Sequence, residues 1–272
     1  MRGNPREQRR SAPRKSTPRR SAPKRSAESE NCVAGRNSVV EALRAKVPSK
    51  ELLIAERAEI DERMAESIRL AKNLNLTVKE VPRSMLDGIS GTEHHQGIAL
   101  LIKPFAYTPF EQIFMKAKKP GLVIAMDGVT DPHNLGAIVR SAAAFGADGV
   151  VIPERRSASM TGSAWKASAG AAARLPIAHV TNLVRSIEDA KKAGYFVVGL
   201  DAEGDQTLPT FNLANESIYL IVGSEGKGLS RLVREKCDSI LSIPMRDITE
   251  SLNASVATSV VMYWISDSRS HQ

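Results

Sequence analysis

The second half of the sequence alternates short apolar runs with longer segments in which apolar residues recur at helical spacing. Strands are predicted at Leu122–Asp127, Gly149–Ile152, Tyr195–Leu200, Ile218–Val222 and Ile240–Ile243, and helices at 134–145, 159–173, 183–193, 228–236 and 252–266. Strands that alternate with helices form a parallel sheet that helices cover on both faces. The alternation therefore predicts an α/β fold with a parallel sheet over residues 121–268.

Residues 31–104 have the pattern of a second, smaller α/β domain, and this segment contains no Phe, Tyr or Trp. RNA-binding modules of the RRM and OB types stack bases on aromatic rings. Those modules are therefore not expected here, and any RNA contact of this domain would depend on shape and on phosphate groups. The proline-punctuated segment 105–120 predicts a linker with one short helix.

Most of the net charge lies at the N-terminus. Residues 1–30 hold ten Lys or Arg and three Glu, a net charge of +7 out of +8 for the whole chain. With four prolines and no aromatic residue, this segment has too little apolar surface to fold, so it is predicted to be a disordered tail. It is either an electrostatic arm for nucleic acid or a tail that only raises solubility, and the charge favours the arm.

Composition also limits the compartment and the cofactors. Cys32 and Cys237 are far apart, offer no metal-binding spacing and suit a reducing cytoplasm. Apolar runs such as Leu122–Met126 are far too short to span a bilayer, and no apolar segment typical of a secretory signal follows the basic N-terminus. His94 and His95 have no Cys or acidic partner at ligand spacing, so no metal site is predicted.

Three strand–helix junctions carry polar side chains where ligands collect in open α/β folds. The first junction, DGVTDPHNLGAIVRSAAAFG, runs from Asp127 to Gly146. Asn134 stands where an N-cap is expected, and Arg140 is the only charged residue of the predicted helix, which is otherwise apolar or small. This pattern favours a functional role for an amide at the helix entrance and for a guanidinium further along.

The second junction, IYLIVGSEGKGLS, follows a predicted buried strand and contains Gly223, Glu225 and two further glycines. It is not a phosphate loop, because a Walker A motif would need Gly at Ile221 and Ser or Thr at Gly228. A dinucleotide fingerprint from Gly226 would need a third glycine where Arg231 stands. The glycines therefore predict a close backbone approach to something other than a triphosphate.

The third junction is SIPMRDITESLNASVATSVVMYW, in which Ser251 and Asn253 lie at the start of a predicted helix. Capping alone would explain either residue type at this position.

Together the three segments resemble the three motifs of the SpoU (TrmH-type) family of RNA 2′-O-ribose methyltransferases, in the right order and over most of the second half of the chain. The sequence resembles in particular the bacterial members that methylate a guanosine ribose in 23S ribosomal RNA. Those members carry an N-terminal domain similar to ribosomal protein L30e, which would correspond to residues 31–104, and HHQGIALL resembles the end of that domain.

The resemblance implies a parallel-sheet catalytic domain with a C-terminal trefoil knot of the SPOUT type, an exception to the rule that chains are not knotted. It also implies S-adenosylmethionine as cofactor and a homodimer formed through the catalytic domain. The residues that would contact the cofactor, largely through backbone groups, are Gly223, Ile243 and Leu252.

The family's proposed activating residue corresponds to Arg140. Because a guanidinium group stays protonated at neutral pH, we expect Arg140 to bind the target phosphate in a bidentate manner and to stabilise negative charge. The proton of the 2′-hydroxyl would pass to the phosphate or to a transiently neutral Arg140. Asn134 and Glu225 would hold Arg140 and the ribose, while Ser251 and Asn253 would line the pocket or the RNA path.

Two alternatives to 23S rRNA methylation stay open at this point. The first keeps the chemistry and changes the substrate to tRNA, although an L30e-like domain and a basic tail favour rRNA. The second is a non-catalytic RNA-binding factor for ribosome assembly on the same fold. The complete set of polar residues argues against it, namely Asn134, Arg140, Glu225, Ser251 and Asn253.

Overall fold

The computed structural model describes residues 31–246 and 251–271, which form two sheets with helices packed against them. The predicted basic tail, residues 1–30, lies outside the described residues, and so do residues 247–250 of the third junction. Over the described ranges, no helix combines the length and the apolar character that crossing a membrane requires.

The N-terminal domain is built on a four-stranded mixed sheet. Its strands are β1 (Cys32–Ala34), β2 (Ser49–Ala55), β3 (Thr77–Val81) and β4 (Ile98–Ile102), in the order β1-β4-β2-β3. Strands β2 and β3 are parallel, whereas β4 is antiparallel to both β1 and β2. The helices of this domain are α1 (Arg36–Arg44), α2 (Glu62–Asn73) and α3 (Arg83–Ser90).

The segment after β4 packs against the second domain instead of spanning a gap. The Phe105 ring lies 5.5 Å from that of Trp165, and the Tyr107 ring stacks on His179 at 3.5 Å. The backbone N–H of Met160 donates to the Tyr107 hydroxyl at 3.0 Å. The predicted short helix of this segment is α4 (Phe110–Lys116). Phe105 and Tyr107, which belong to the connecting segment, therefore attach the end of the first domain to the second domain.

The second domain contains a seven-stranded sheet in which every pair is parallel. Its strands, in the order β7-β6-β5-β10-β8-β11-β9, are β5 (Leu122–Asp127), β6 (Gly149–Pro153), β7 (Ile177–Val180), β8 (Phe196–Leu200), β9 (Gln206–Thr207), β10 (Ile218–Gly223) and β11 (Ser239–Ser242). Its helices are α5 (Pro132–Ala144), α6 (Gly162–Ala167), α7 (Leu183–Lys192), α8 (Arg231–Lys236) and α9 (Ala254–Ser270). The parallel α/β fold predicted from the sequence is confirmed.

Each face of this sheet is covered because its strands are apolar on both sides. Along β5, Ile124 and Met126 join a cluster that contains residues of α5 and α9. Val123 and Ala125 point the other way, into a cluster with residues of α4, α7 and α8. Alternate side chains of a strand face opposite sides of a sheet, so a continuous apolar run serves both layers.

The structure corrects three details of the prediction. Strands β7 and β9 were not predicted, and both are short. The predicted helix 159–173 is broken into α6 and a short 3-10 turn, because Ala169 and Gly170 both adopt left-handed backbone angles, φ 48° and 83°. Asn134 is not the N-cap of α5. Asp131 caps that helix by accepting a hydrogen bond from the His133 N–H at 2.9 Å, and Pro132 occupies the first turn.

Candidate active site

The three polar junctions meet at one edge of the seven-stranded sheet. Asn134 follows β5, Glu225 follows β10, and Asn253 follows β11 and precedes α9. Strands β5 and β10 are neighbours, and β11 lies two positions beyond β10. Because the carboxyl ends of parallel strands lie at the same edge, segments about 90 and 120 residues apart come into contact.

A hydrogen-bonded network joins the three side chains. The Asn134 Nδ2 donates to Glu225 Oε1 at 2.9 Å, and the Asn253 Nδ2 donates to the same oxygen at 2.6 Å. The Asn253 Nδ2 also donates to Asn134 Oδ1 at 2.9 Å. Asn134 is 8% exposed, so its amide needs these partners. The network fixes Glu225 by one oxygen, and no hydrogen bond to Glu225 Oε2 is found within residues 31–246 and 251–271.

Asn253 has a second role as the N-cap of α9. Its Oδ1 accepts hydrogen bonds from the backbone N–H groups of Ser255 at 2.9 Å and Val256 at 3.3 Å. The amide oxygen of Asn253 therefore caps the helix, and its amide nitrogen joins the network. The capping role, which the residue type of Asn253 allows, coexists with the contact to Glu225.

A cavity of about 550 Å³ lies beside the network. Its walls come from the ends of β8 and β10, from the glycine loop after β10, and from the segments on either side of residues 247–250. The predicted site residues that line it are Gly223, Glu225, Ile243, Ser251 and Leu252. Ser251 is exposed at its rim and, unlike Asn253, does not cap the helix.

Gly223 and Gly228 allow the glycine loop to fold back on itself. A Cβ atom on Gly223 would lie 2.3 Å from the carbonyl carbon of Gly228, and Ser224 and Gly228 exchange two backbone hydrogen bonds of 3.0 Å. Gly228 has φ 60°, a left-handed angle. The close approach that the sequence predicts at Gly223 is therefore made to the loop's own backbone, which leaves the other side of the loop to line the cavity.

Asp201, which directly follows β8, supports the glycine loop. A role for this residue was not predicted from the sequence. Its carboxylate accepts hydrogen bonds from the N–H groups of Leu229 and Glu203, both at 3.1 Å, and pairs with Arg234 at 3.2 Å. Burial alone would raise the pKa of Asp201, but these hydrogen bonds and the Arg234 guanidinium outweigh burial and lower it. Asp201 and Arg234 also line the cavity.

Arg140 lies apart from the network. It is exposed on α5, and in the described part of the chain it makes no hydrogen bond or ion pair with Asn134 or Glu225. The buried stripe of α5, which faces the core, consists of Leu135, Ile138, Val139 and Ala142. The expected contact of Arg140 with Asn134 and Glu225 is therefore not made within a single described chain.

Other reactive side chains have structural explanations. His95 is fully buried, accepts the Gly97 N–H at Nδ1 (3.0 Å) and contacts Asp87 through Nε2 (2.9 Å). No group of three His, Cys, Asp or Glu that could hold a metal occurs among residues 31–246 and 251–271. Burial raises the pKa of Cys32 to about 11 and that of Cys237 to about 12, so both thiols are poor nucleophiles.

Comparison with known proteins agrees with this geometry. Residues 121–263 match the SpoU rRNA Methylase family, and residues 32–108 match the RNA 2′-O ribose methyltransferase substrate binding family. A tRNA/rRNA methyltransferase of Mycolicibacterium vanbaalenii, itself uncharacterized, is 52% identical over 240 residues, which are 87% of this chain and 76% of the relative.

Two solved structures have the same architecture. The SpoU methyltransferase AviRb from Streptomyces viridochromogenes, in complex with the cofactor AdoMet, is 25% identical with a TM-score of 0.63, over 88% of this chain and 89% of AviRb. An AdoMet-bound rRNA methyltransferase from Sinorhizobium meliloti is 23% identical with a TM-score of 0.60, over 88% of this chain and 87% of that one, a likeness that concerns the fold alone. The chain belongs to the SpoU family of RNA methyltransferases.

Proposed function

We propose that the protein transfers a methyl group from S-adenosylmethionine to the ribose 2′-hydroxyl of a guanosine in 23S rRNA. The observation that carries the proposal is the network of Asn134, Glu225 and Asn253 directly beside a cavity of about 550 Å³. A cavity of this size is within the range of small-molecule sites, about 300–1,000 Å³. AviRb, which has the same architecture, binds AdoMet.

The cavity walls suit a ligand with both apolar and polar parts. Val222, Leu229, Ile243 and Leu252 contribute apolar surface, and Gly223 contributes backbone atoms. Glu203 and Glu225 also line the cavity, together with Lys227 and Arg234, so its walls carry charges of both signs. We therefore assign Gly223, Ile243 and Leu252 to cofactor binding. When bound there, S-adenosylmethionine supplies an electrophilic methyl group.

The network offers one donor and one acceptor for a ribose hydroxyl. The second N–H of the Asn134 amide and the Glu225 Oε2 have no hydrogen-bond partner among the described residues. A hydroxyl group both donates and accepts, so it can bridge these two atoms. In this arrangement Glu225 orients the hydroxyl proton away from the oxygen lone pair that attacks, and Asn134 fixes the direction of attack. Ser251, at the cavity rim, would contact the neighbouring RNA.

Arg140 would bind the phosphate of the target nucleotide and stabilise the negative charge that develops as the hydroxyl loses its proton. As the hydroxyl oxygen attacks, this proton leaves its hydrogen bond with Glu225 Oε2 and passes to the phosphate that Arg140 binds, or to a transiently neutral Arg140. Since Arg140 is exposed and separate from the network in one chain, we propose that a second copy presents its Arg140 to this site.

A homodimer through the catalytic domain is supported by an apolar stripe on α9. Val256, Val260 and Tyr263 are 48%, 37% and 56% exposed and recur at helical spacing, and the Tyr263 ring lies 5.9 Å from Phe145 after α5. Exposed apolar patches mark protein interaction sites. The stripe lies on the helix that Asn253 begins, so pairing there would bring a second chain close to the network.

The choice of 23S rRNA over tRNA is supported by the N-terminal domain, which matches a substrate-binding family, and by the basic tail. The boundaries 31–104, 105–120 and 121–268, a cytoplasmic location and the trefoil knot stay predictions of the sequence. A tRNA substrate and a non-catalytic assembly factor are the competing functions.

One experiment separates these possibilities. The purified protein is incubated with S-adenosylmethionine labelled in its methyl group and with either unmodified 23S rRNA or bulk tRNA, and the labelled nucleotide is then mapped. We expect label on a single ribose of 23S rRNA. Label on tRNA would overturn the substrate and keep the chemistry. Cofactor binding without transfer to either RNA, or to a ribosomal precursor particle, would favour the assembly factor.

A further inference from the structure

We propose that a groove at one end of the N-terminal domain binds the phosphate backbone of the RNA substrate. This lysine groove, with a volume of about 560 Å³, is lined by Lys46, Val47, Pro48, Ser49, Lys50, Leu74, Asn75, Leu76 and Lys103. The inference rests on the proposed function, because it takes RNA as the substrate. It adds the surface of the N-terminal domain along which that RNA lies.

The charge of the lysine groove is not balanced locally. Lys46, Lys50 and Lys103 are all exposed, and none of them pairs with a carboxylate among the described residues. No Asp or Glu lines the groove in the part of the chain that the structure describes. By contrast, Lys79 on β3 of the same domain pairs with Glu51. Three free ammonium groups around one groove create a local positive potential that attracts anions.

Backbone hydrogen bonds fix the positions of two of the three lysines. Lys46 follows the end of α1 with φ 52°, its N–H bonded to the Leu43 carbonyl at 3.0 Å. The Lys103 N–H donates to the Pro48 carbonyl at 2.7 Å, which ties the end of β4 to the segment before β2. Left-handed positions after a helix favour glycine, yet a lysine stands here and lines the groove. Lysine near a helix C-terminus also complements the helix dipole, and the experiment below separates that role from RNA binding.

The basic N-terminal segment joins the fold close to the groove. The Ile102 N–H donates to the Asn31 carbonyl at 2.9 Å, so the chain enters the fold beside Lys103. Residues 1–30, with a net charge of +7, are attached at that point. On the other side of Lys103 the chain leads to Phe105, which packs on Trp165 of the catalytic domain. The lysine groove therefore lies between the point where residue 31 enters the fold and the junction of the two domains.

A nucleic-acid backbone fits this surface better than a protein or a small anion. Lysine ammonium groups neutralise phosphates without reading bases, and they act as point charges along an extended polyanion. Without aromatic residues in this domain, base stacking contributes nothing. Affinity through the groove should therefore depend on salt and not on sequence.

The test compares two triple variants of the full-length protein with equal loss of charge. Lys46→Gln, Lys50→Gln and Lys103→Gln neutralise the groove. Lys191→Gln, Lys192→Gln and Lys236→Gln neutralise three lysines that pair with carboxylates on the α7–α8 side.

Affinity for an unmodified 23S rRNA transcript is measured between about 50 and 200 mM salt. Each phosphate contact contributes ~0.7 to the salt slope on single strands, so the groove variant should lose about two units of slope. Over this range the wild type then loses about twentyfold more affinity than the groove variant, and the control keeps the wild-type slope.

Equal slopes for the two variants would overturn the inference, because only overall charge would then matter. A lower melting temperature of the groove variant with an unchanged slope would also overturn it, since the lysines would then stabilise the fold without binding RNA. Methyl transfer at saturating RNA separates this inference from the proposed function. If the wild type methylates rRNA and the groove variant keeps the wild-type salt slope, only the inference about the lysine groove is refuted. A wild type that neither binds nor methylates RNA refutes the proposed function itself.

Discussion

The Asn253 Nδ2 lies 2.6 Å from Glu225 Oε1, and this hydrogen bond joins the start of α9 to the glycine loop after β10. The same side chain caps the helix through its Oδ1. One amide thus couples the ordering of the last helix to the position of a carboxylate in the site.

Substitutions at Asn253 can separate these two roles. Asn253→Ser keeps an N-cap but removes both donors to the network, whereas Asn253→Ala removes both functions. We expect both variants to lower kcat by about a hundredfold, because Glu225 loses its position. Only Asn253→Ala should also lose about 1 kcal/mol of unfolding free energy. Denaturant unfolding and methyl-transfer rates measure the two effects, and a serine variant with wild-type kcat would show that Asn253 is only a cap.

Arg140→Ala tests whether this guanidinium takes part in the reaction. We expect affinity for S-adenosylmethionine to be unchanged, because Arg140 does not line the cavity. Turnover should fall by at least about a hundredfold, as charge stabilisation is lost in the transition state. Arg185→Ala, on the far helix α7 with a side chain that is 81% exposed, provides the control. Calorimetry and transfer assays distinguish this outcome from a general loss of structure.

Asp201→Asn tests the support beneath the glycine loop. Asn keeps an acceptor but loses the charge that pairs with Arg234, so the loop should loosen at Leu229. We expect cofactor affinity to fall by roughly tenfold while kcat at saturation stays near the wild-type value, since Asp201 does not touch the network. Titration calorimetry and saturation kinetics measure the two quantities. A lower kcat with unchanged affinity would contradict this positioning role.

The same substitution has a consequence for acid stability. The folded-state pKa of Asp201 lies below its usual value, so its contribution to stability is complete above the unfolded pKa, about 3.9. It is lost as the pH falls through the folded pKa. The difference in unfolding free energy between the wild type and Asp201→Asn should therefore be largest near neutral pH and shrink below about pH 4. Asp189→Asn, at a half-exposed carboxylate of α7, serves as the control. A gap that is constant with pH would show that the charge of Asp201 does not stabilise the fold.

The sequence was sufficient to predict that the three junctions meet, because alternating strands and helices imply a parallel sheet with one ligand-binding edge. It misplaced the cap of α5 because Asp131 and Asn134 are both capping types, although Pro132 between them favours Asp131. With Asp131 as the cap, the Asn134 side chain is free to reach Glu225.

Asp201 could not be predicted from local pattern. Its partner Leu229 is 28 residues away, and their contact exists because β8 lies next to β10 in the sheet. Strand order is a tertiary property that periodicity does not encode. Arg140 does not belong to the apolar stripe of α5, which explains its exposure. Its separation from Asn134 and Glu225 could not be predicted from the sequence.

The apolar stripe on α9 gives a prediction about assembly. Val260→Glu and Tyr263→Glu together place two charges where we propose that a second copy packs, and burying unpaired charges in an interface is strongly unfavourable. We expect a folded monomer by sedimentation, with turnover largely lost because no partner presents Arg140. Leu232→Glu, at another exposed apolar residue on α8, should leave assembly and activity unchanged. A double variant that stays dimeric would place the interface elsewhere.

Removing residues 1–30 tests whether the basic segment acts on RNA or only on solubility. The segment holds ten Lys or Arg, and each phosphate contact adds ~0.7 to the salt slope on single strands. Deletion should therefore weaken binding to 23S rRNA and flatten its dependence on salt, while affinity for S-adenosylmethionine is unchanged. A full-length variant with the ten basic residues replaced by Gln keeps chain length and should behave like the deletion, whereas a shuffled tail of the same composition should behave like the wild type. If the deletion changes only the concentration at which the protein precipitates, with salt slopes equal to the wild type, the segment is a solubilising tail.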